Sequence, residues 1–582
     1  MKKVLIWLLS TAVILGILLT AVQVLSLYVV SPIVGRKLEQ RVTEWTDSLY
    51  QLDVQNLRIN LLGGTIRSSS ILFGPDTSHI RQHHEQLLQQ PNLFEVQLDG
   101  LNLEDIDVMR LLLKRELALD AIEIREPFVR VIRNELARTD TLAQDTAQTS
   151  RRDPLNVYQY FNGVLHTIEL GELWLSEGTI VLEQWQHAEN RAELPRFSLR
   201  IRDIKIDSTA HLDRDRMFYS EHFRGRAEGF RIETPDSLYV LSIDSVGIDS
   251  DGGRLSLDSL HYTPLFKRSE MGKMLEKRNA STEVSVARVD LKGVDLKRLF
   301  RLNDCYVNEV DLDQIRLLSY KNKKLYEEKR IRPLPQEILR ELPIHVKIDS
   351  LKIKDGFIRY DELGEESIKP GYVTFERLNG VLRNLTNVPW MLDTGATATF
   401  DGSAYLMGQG RLDAHLKFML GDSTDRFEVR GTLGKMDLTA LNEMTVNRVF
   451  VRIKEGQNLR TDFHIVGNGE RSGGELRWRY QDLKISVLNG DKVLEDEESR
   501  RDIISFLANR LVLRSDNPKG DDLRVGQIYF ERNPQKSMFN YWWKSALSGM
   551  KHTLGVENPR PEEKTFWERV MNWFGAGSKQ EE

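Results

Sequence analysis

A two-residue rhythm of apolar and polar side chains runs through most of the chain and constrains its fold more than any other feature. In HTIELGELWLSEGTIVLE, from His166, the rhythm is carried by Leu173, Leu175, Thr179 and Val181. In HVKIDSLKIKDGFIRYDE, from His345, it is carried by Val346, Ile348, Leu351 and Ile353. Successive side chains of a strand point to opposite faces, so alternation makes one face of a sheet apolar and the other polar. Gly and Asp or Asn interrupt the runs every roughly 8–12 residues, the spacing of antiparallel hairpins. The pattern predicts roughly 25 strands. Stacked about 4.8 Å apart in one sheet, they would extend about 120 Å. Helical patches are few: Arg36–Tyr50, Ile80–Gln90, Leu155–Gly163, Glu270–Lys277 and Arg500–Arg510.

Three pairs of segments match one another in order. Val54–Pro75 aligns with Ile243–Pro264 without a gap, placing Gly63-Gly64 on Gly252-Gly253 and Pro75 on Pro264. VQLDGLNL, from Val96, aligns with VDLKGVDL, from Val289, and a short helical stretch follows each, Asp107–Leu117 and Leu296–Asn303. The segment from His166 aligns with that from His345, so that Leu173, Leu175, Gly178 and Ile180 fall on Leu351, Ile353, Gly356 and Ile358. Offsets of roughly 180–190 residues predict a tandem duplication with halves near 50–235 and 236–420.

Val4–Val30 is nearly all apolar. At 1.5 Å per residue such a helix extends roughly 40 Å, enough to cross a bilayer with tilt. Lys2 and Lys3 precede it, and Arg36, Lys37 and Arg41 follow. A cleaved signal peptide has a shorter apolar core, about 7–15 residues, and a small-residue cut site. The longer run and the lack of an A-x-A pair favour an uncleaved anchor, with the N-terminus cytoplasmic and the bulk translocated.

The rest of the composition excludes several function classes. The 582 residues allow two to four domains. Charge is balanced, 81 − 86 = −5, and basic and acidic residues interleave, which argues against nucleic-acid binding. The single cysteine, Cys305, excludes an internal disulfide framework and a cysteine-based zinc cluster. No G-x-S-x-G, Walker A, H-E-x-x-H or G-x-G-x-x-G motif occurs. His79 and His83 sit at i, i+4 beside His84, but two imidazoles need further ligands, so a solvated polar helix is the expectation. Most Asp and Glu residues occupy the polar phase of strands or turns. No enzyme activity, metal or cofactor is expected.

Met538, Phe539, Trp542, Trp543, Ala546, Leu547, Met550 and Leu554 recur at helical spacing and predict an amphipathic helix. Phe566, Trp567, Val570, Trp573 and Phe574 predict a second. Such helices either cap the open end of a sheet or meet a bilayer interface or partner groove.

An N-terminal anchor is followed by L-x-I-x-L-L-x-G-T-I-type strands. GTLGKMDLTALNEMTVNRVFVRIKEGQ (Gly431–Gln457), GELRWRYQDLKISVLNG (Gly474–Gly490), FLANRLVLRSDNP (Phe506–Pro518) and RVGQIYFERNPQKSMFNYWWKSALSGMKHTLG (Arg524–Gly555) come after them. With these features the chain resembles the AsmA-like family of bacterial envelope proteins, most strongly over Gly431–Gly555. That family is similar to TamB and to the eukaryotic bridge-like lipid-transfer proteins. The resemblance implies a periplasmic β-groove tethered to the inner membrane. It also implies a role in moving phospholipids between membranes or in outer-membrane assembly, and it brings no catalytic residues.

The expected fold is mainly β: an N-terminal transmembrane helix, a long curved, mostly antiparallel β-groove built from tandem repeats, and C-terminal amphipathic helices. The expected boundaries are 1–35 for the anchor, 36–235 and 236–420 for the two repeat halves, 421–533 for the AsmA-like β region and 534–582 for the helices and tail. The expected function is a single-pass inner-membrane protein with its bulk in the periplasm, conducting phospholipid acyl chains along the groove. Leu173, Leu175, Ile180, Leu351, Ile353 and Ile358 are the candidate lining. Trp542, Trp543, Phe566, Trp567, Trp573 and Phe574 are candidates for membrane or partner contact. The alternative is a non-enzymatic scaffold or assembly factor for outer-membrane proteins, holding outer-membrane or periplasmic partners at sheet edges or terminal helices; an envelope hydrolase is a distant third reading.

Overall fold

The computed structural model describes residues 20–555, apart from 47, 76–91, 134–157, 159–164, 185–190, 214, 215, 218, 235, 279, 366 and 489–513. The protein is mainly β. Twenty-two of the described strands belong to one large, mostly antiparallel sheet and three to a small one. The chain divides into two compact units, Met1–Glu233 with Ser242–Leu257, and Thr234–Leu241 with Asp258–Glu582.

The first unit opens with a helix, Thr20–Glu44, long and apolar enough to cross a membrane. It contains a π-helical turn, Ser26–Val30, followed directly by α1 (Ser31–Trp45), whose second residue is Pro32. Three short strands, β2 (Arg58–Asn60), β3 (Thr65–Ser68) and β6 (Leu101–Leu103), form the small sheet. The free edge of β2 is closed by helix side chains. The Ser26 hydroxyl donates to the Ile59 carbonyl, and the Ile59 N–H donates to Ser31 Oγ at 2.8 Å. Both serines are fully buried. The expected span Val4–Val30 therefore overlaps, at Ser26–Val30, a segment bonded to the protein's own sheet; residues 4–19 lie outside the described residues.

In the large sheet of this unit β1 (Tyr50–Gln55) pairs antiparallel with β4 (Ser70–Pro75), β4 with β5 (Asn92–Leu98), and β5 with β8 (Phe128–Arg133). Helix α2 (Val108–Lys114) begins at Asp107, whose carboxylate accepts from the Arg110 N–H, and ends at Arg115 in the left-handed region. Next, β7 (Glu116–Arg125) and β8 lie in line, broken at Glu126 (φ 51°). Both run parallel to β9 (Thr167–Gln184), β7 along its first half and β8 along its second. Antiparallel β10 (Arg191–Ile206) and β11 (His222–Glu233) complete the run. The β9–β10 register slips beside Gly178, where a Cβ would lie 2.3 Å from the Phe197 ring, so a larger residue would have to displace that ring. Strands β12 (Tyr239–Asp249) and β13 (Arg254–Pro264) are each divided between the two units.

The second unit repeats several of these devices. After α3 (Arg268–Met274), β14 (Ala280–Lys292) leads into α4 (Leu296–Leu302), capped by Asp295 and ended by left-handed Asn303. Then β15 (Cys305–Asp313) and β16 (Arg316–Asn322) lie in line, broken at Gln314 (φ 54°), and pair antiparallel with β14. Both run parallel to β17 (Val346–Leu363), whose antiparallel pairing with β18 (Gly371–Thr386) slips beside Gly356. An antiparallel series continues through β19 (Thr397–Leu406), β20 (Gly410–Met419), β21 (Phe427–Leu433), β22 (Met436–Asp437), β23 (Val451–Gly467), β24 (Arg471–Val487) and β25 (Gly526–Glu531). The expected boundary at 420 falls in the turn between the paired strands β20 and β21.

Hairpin spacing could not reveal the parallel pairs, because alternation within a strand does not name its neighbour. Parallel neighbours need a long return connection, which residues 134–166 and 323–345 provide. Helices α5 (Pro335–Arg340), α6 (Pro389–Asp393) and α7 (Asn442–Val449), too short for a helical period to register, were likewise not expected. The expected patches at 80–90 and 500–510, and 155–163 save Tyr158, lie outside the described residues.

The main packed core lies at the C-terminal end of the second unit. Phe427, Val429, Ile465, Leu476 and Ile528 are buried beneath Tyr541 of helix α8 (Met538–Thr553). Ser537 caps that helix and Gly549 packs against Ile528 and Leu476. Phe427 meets Tyr541 edge-to-face with ring centroids 5.5 Å apart. Replacing Phe427 by Ala should cost about 3–5 kcal/mol, whereas Leu351→Ala, at a half-buried site, should cost under about 2. Urea unfolding of both variants measures the difference; equal losses would mean that Leu351 is as tightly packed as the core.

Candidate functional site: an apolar wall with a charged end

The strand register lines up the apolar phases of neighbouring strands. In the second unit one continuous row runs Leu291, Val310, Leu351, Leu382, Phe400, Leu416, Val429 and Ile465, each the direct partner of the next across β14, β15, β17, β18, β19, β20, β21 and β23. Seven strand spacings make this row roughly 34 Å long. At one end Val429 and Ile465 are buried in the core under α8. Leu351, Leu382, Phe400 and Leu416 are only half-buried. In the first unit a shorter row runs Ile122, Leu173, Ile201 and Phe223, with Ile124, Leu175 and Leu199 beside it.

The opposite face carries matched charges. Lys352 pairs with Glu309, and Lys292 bridges Glu309 and Asp311 at 2.8 and 2.6 Å. In the first unit the four arginines of a shallow surface pocket each have an acid: Arg200 with Glu172 at 3.5 Å, Arg224 with Asp249 at 2.6 Å, Arg202 with Asp251 at 3.6 Å and Arg226 with Glu228 at 3.1 Å. Trp174, between Leu173 and Leu175, lies on this polar face with the Arg200 guanidinium 5.0 Å from its ring. That pocket is therefore charge-compensated.

All six candidate lining residues are half-buried: Leu173, Leu175 and Ile180 on β9, and Leu351, Ile353 and Ile358 on β17. Their partners are apolar or glycine: Ile201, Leu199 and Leu194 on β10, and Leu382, Gly380 and Phe375 on β18. The two central tryptophans separate. Trp542 packs towards the core, 6.3 Å from the Phe418 ring and 6.2 Å from Phe427, while Trp543 is 55% exposed; Phe539, 73% exposed, stands edge-on to Trp542 at 6.0 Å. Phe566, Trp567, Trp573 and Phe574, and His79, His83 and His84, lie outside the described residues. Among the described residues, Asp203, Glu221 and His222 are close enough together to hold a metal. There Arg216 already bonds Glu221, and His222 Nδ1 lies 2.5 Å from Asp251.

One end of the second unit's wall is charged, which the sequence pattern did not announce. Beyond Ile358 on β17, Tyr360 and Glu362 occupy the same alternating phase, opposite Ser319 and Lys321 of β16. Glu362 accepts from the Tyr360 hydroxyl at 2.5 Å and pairs with Lys323 at 3.0 Å and with Arg448 of α7. Glu327, on the connection returning from β16, takes Arg278 at 2.8 Å, Lys321 at 3.3 Å and Lys536 at 2.6 Å. Burial raises the pKa of both carboxyls. The surrounding cations outweigh it: Lys536, Lys321 and Arg278 bring Glu327 down to about 2, and Lys323 and Arg448 do the same for Glu362. Burial pushes Tyr360 up, helped by the Glu362 charge. The available signal was Tyr360 and Glu362 continuing the apolar phase of Ile358. No protein-family model and no curated protein matches the chain.

Both carboxylates are more acidic folded than the ordinary value of 4.5. Their stabilisation is therefore complete above about 4.5 and is lost as pH falls towards about 2. Urea unfolding between pH 7 and 3 should show that loss. Glu362→Gln, which leaves Lys323 and Arg448 buried without their carboxylate, should cost about 3–5 kcal/mol at pH 7 and flatten the acid dependence.

Proposed function

We propose that this is an AsmA-like envelope protein, held in the inner membrane by its N-terminal helix, that binds phospholipid acyl chains on the apolar wall and conducts them between membranes. The observation that carries this reading is the half-buried middle of the wall. From Leu351 to Leu416 the apolar row is aligned across strands and only half-buried, Leu382 resting against Leu339, Ala398 and Leu420 and Leu416 against the main core, whereas Val429 and Ile465 are buried. Each acyl CH₂ laid on such a surface contributes about 0.8 kcal/mol, so a chain is held without a specific side chain. Repeated strand units keep that energy similar along the wall, which lets a lipid slide.

The likeness of the two halves supports a duplicated origin for the wall. Asp107 and Asp295 cap matching helices, Glu126 and Gln314 break matching strand pairs, and Gly178 and Gly356 mark matching register slips. The exposed Phe539 and Trp543 suit a bilayer interface. The body lies in the periplasm in this reading, on the far side of the anchor.

Native mass spectrometry of the full chain purified in detergent tests the proposal. Phospholipid should co-purify, and Leu175→Asp or Ile353→Asp should remove most of it, because a carboxylate in the wall must be desolvated to accept an acyl chain. Lys352→Ser, on the opposite face, should leave it unchanged. Lipid-free wild-type protein would rule the conduit out.

A further inference from the structure

We infer that the charged end of the second unit's wall is a binding site for a phosphate group, presented by the head group of a lipid whose chain lies on the wall. The inference rests on the acyl-chain reading above for its lipid source. The phosphate chemistry stands on the cluster itself.

Five cations, Arg278, Lys321, Lys323, Arg332 and Lys536, lie about Glu327, Glu362 and Glu365 among the described residues, beside Arg448, which pairs with Glu362 and has a further partner. Glu327 is shared by three of the cations and Glu362 by two. Arg332 makes no ion pair with a described carboxylate. Its Nε donates to the Gln535 carbonyl at 3.2 Å and its backbone N–H to Pro534. It lies near enough to Lys321 and Tyr360 for its charge to act on both. Lys321 is held below the ordinary lysine value by burial, with the positive charges of Arg332 and Lys536 adding to it against Glu327. A guanidinium without a carboxylate partner in a partly desolvated cluster attracts an anion, and its planar N–H groups suit the oxygens of a phosphate.

The placement fits an amphiphile. Ile353 and Ile358 precede Tyr360 and Glu362 in one phase of β17, and Ile358 is flanked by Leu317 and Phe375. From Ile358 back to Ile353 the strand covers roughly 17 Å. One leaflet of a bilayer is about 15 Å deep in hydrocarbon. A single acyl chain laid along this stretch puts its head group at Lys321, the direct partner of Glu362, in the cluster on which the Arg332 charge acts.

The test uses the delipidated full chain in detergent, loaded separately with phosphatidylglycerol and with diacylglycerol of the same chains, bound lipid being read by native mass spectrometry. Wild type should take phosphatidylglycerol at an at least about tenfold lower concentration, the order of one charge-assisted contact. Arg332→Gln should erase that preference and leave diacylglycerol binding unchanged, and Arg332→Lys should restore part of it. A melting temperature equal to wild type establishes that Arg332→Gln is folded. Inorganic phosphate assigns the source. Heat protection by phosphate in wild type but not in Arg332→Gln, without a preference between lipids, makes the ligand the free ion. An Arg332→Gln protein that prefers phosphatidylglycerol as wild type does, with no phosphate effect on either, overturns the site and leaves the wall reading intact. Failure of both lipids to bind overturns the wall reading, and phosphate protection alone then decides the site.

Discussion

Cross-strand register is the constraint on which the rest of this structure depends. A slip of one residue between β17 and β18 would turn Leu351, Ile353 and Ile358 to the face that carries Lys352. The chain avoids that outcome over strands of up to 18 residues by absorbing irregularity at chosen points. Gly178 and Gly356 allow the long strands to step while the residues beyond each glycine keep their proper face. Across the other face, pairs such as Lys352 with Glu309 penalise the wrong alignment, since a shifted register would oppose like charges or leave ions on the apolar side.

The same sheet is finished differently along its length. Beneath α8 the apolar phase becomes an ordinary core, with Phe427, Leu476 and Tyr541 nearly or fully buried. From Leu416 back to Leu351 the side chains keep the same phase and partners but are half-covered. At the far end of β17 the phase turns polar with Tyr360 and Glu362, and a dense ionic cluster replaces hydrocarbon. Alternation alone does not distinguish these three endings; the elements packed over the strand do.

That distinction marks how much was legible in the sequence. The period of two located β9 and β17 and assigned Leu173 with Leu175, and Leu351 with Ile353, to one face, because that information is local, whereas Ile358 joins them only through the slip at Gly356. Which strand lies beside which is not local. Nothing in β15 or β16 announces that they run parallel to β17. The helix at Met538–Thr553 was legible from its spacing, but the roles of its adjacent tryptophans were not. Neighbours on a helix point about 100° apart, so only packing against Phe418 and Phe427 decides that Trp542 faces inward and Trp543 outward. The charged cluster was hidden for a related reason: Glu327 and Lys536 are about two hundred residues apart in the chain and meet only in the fold.

The serines at positions 26 and 31 have a mechanical consequence. They bind both backbone groups of Ile59, so the N-terminal helix and the small β2–β3–β6 sheet form one stiff piece with no slack between them. Any tilt taken up by the apolar rod is passed directly to that sheet, like the angle of a mast to the step that holds it.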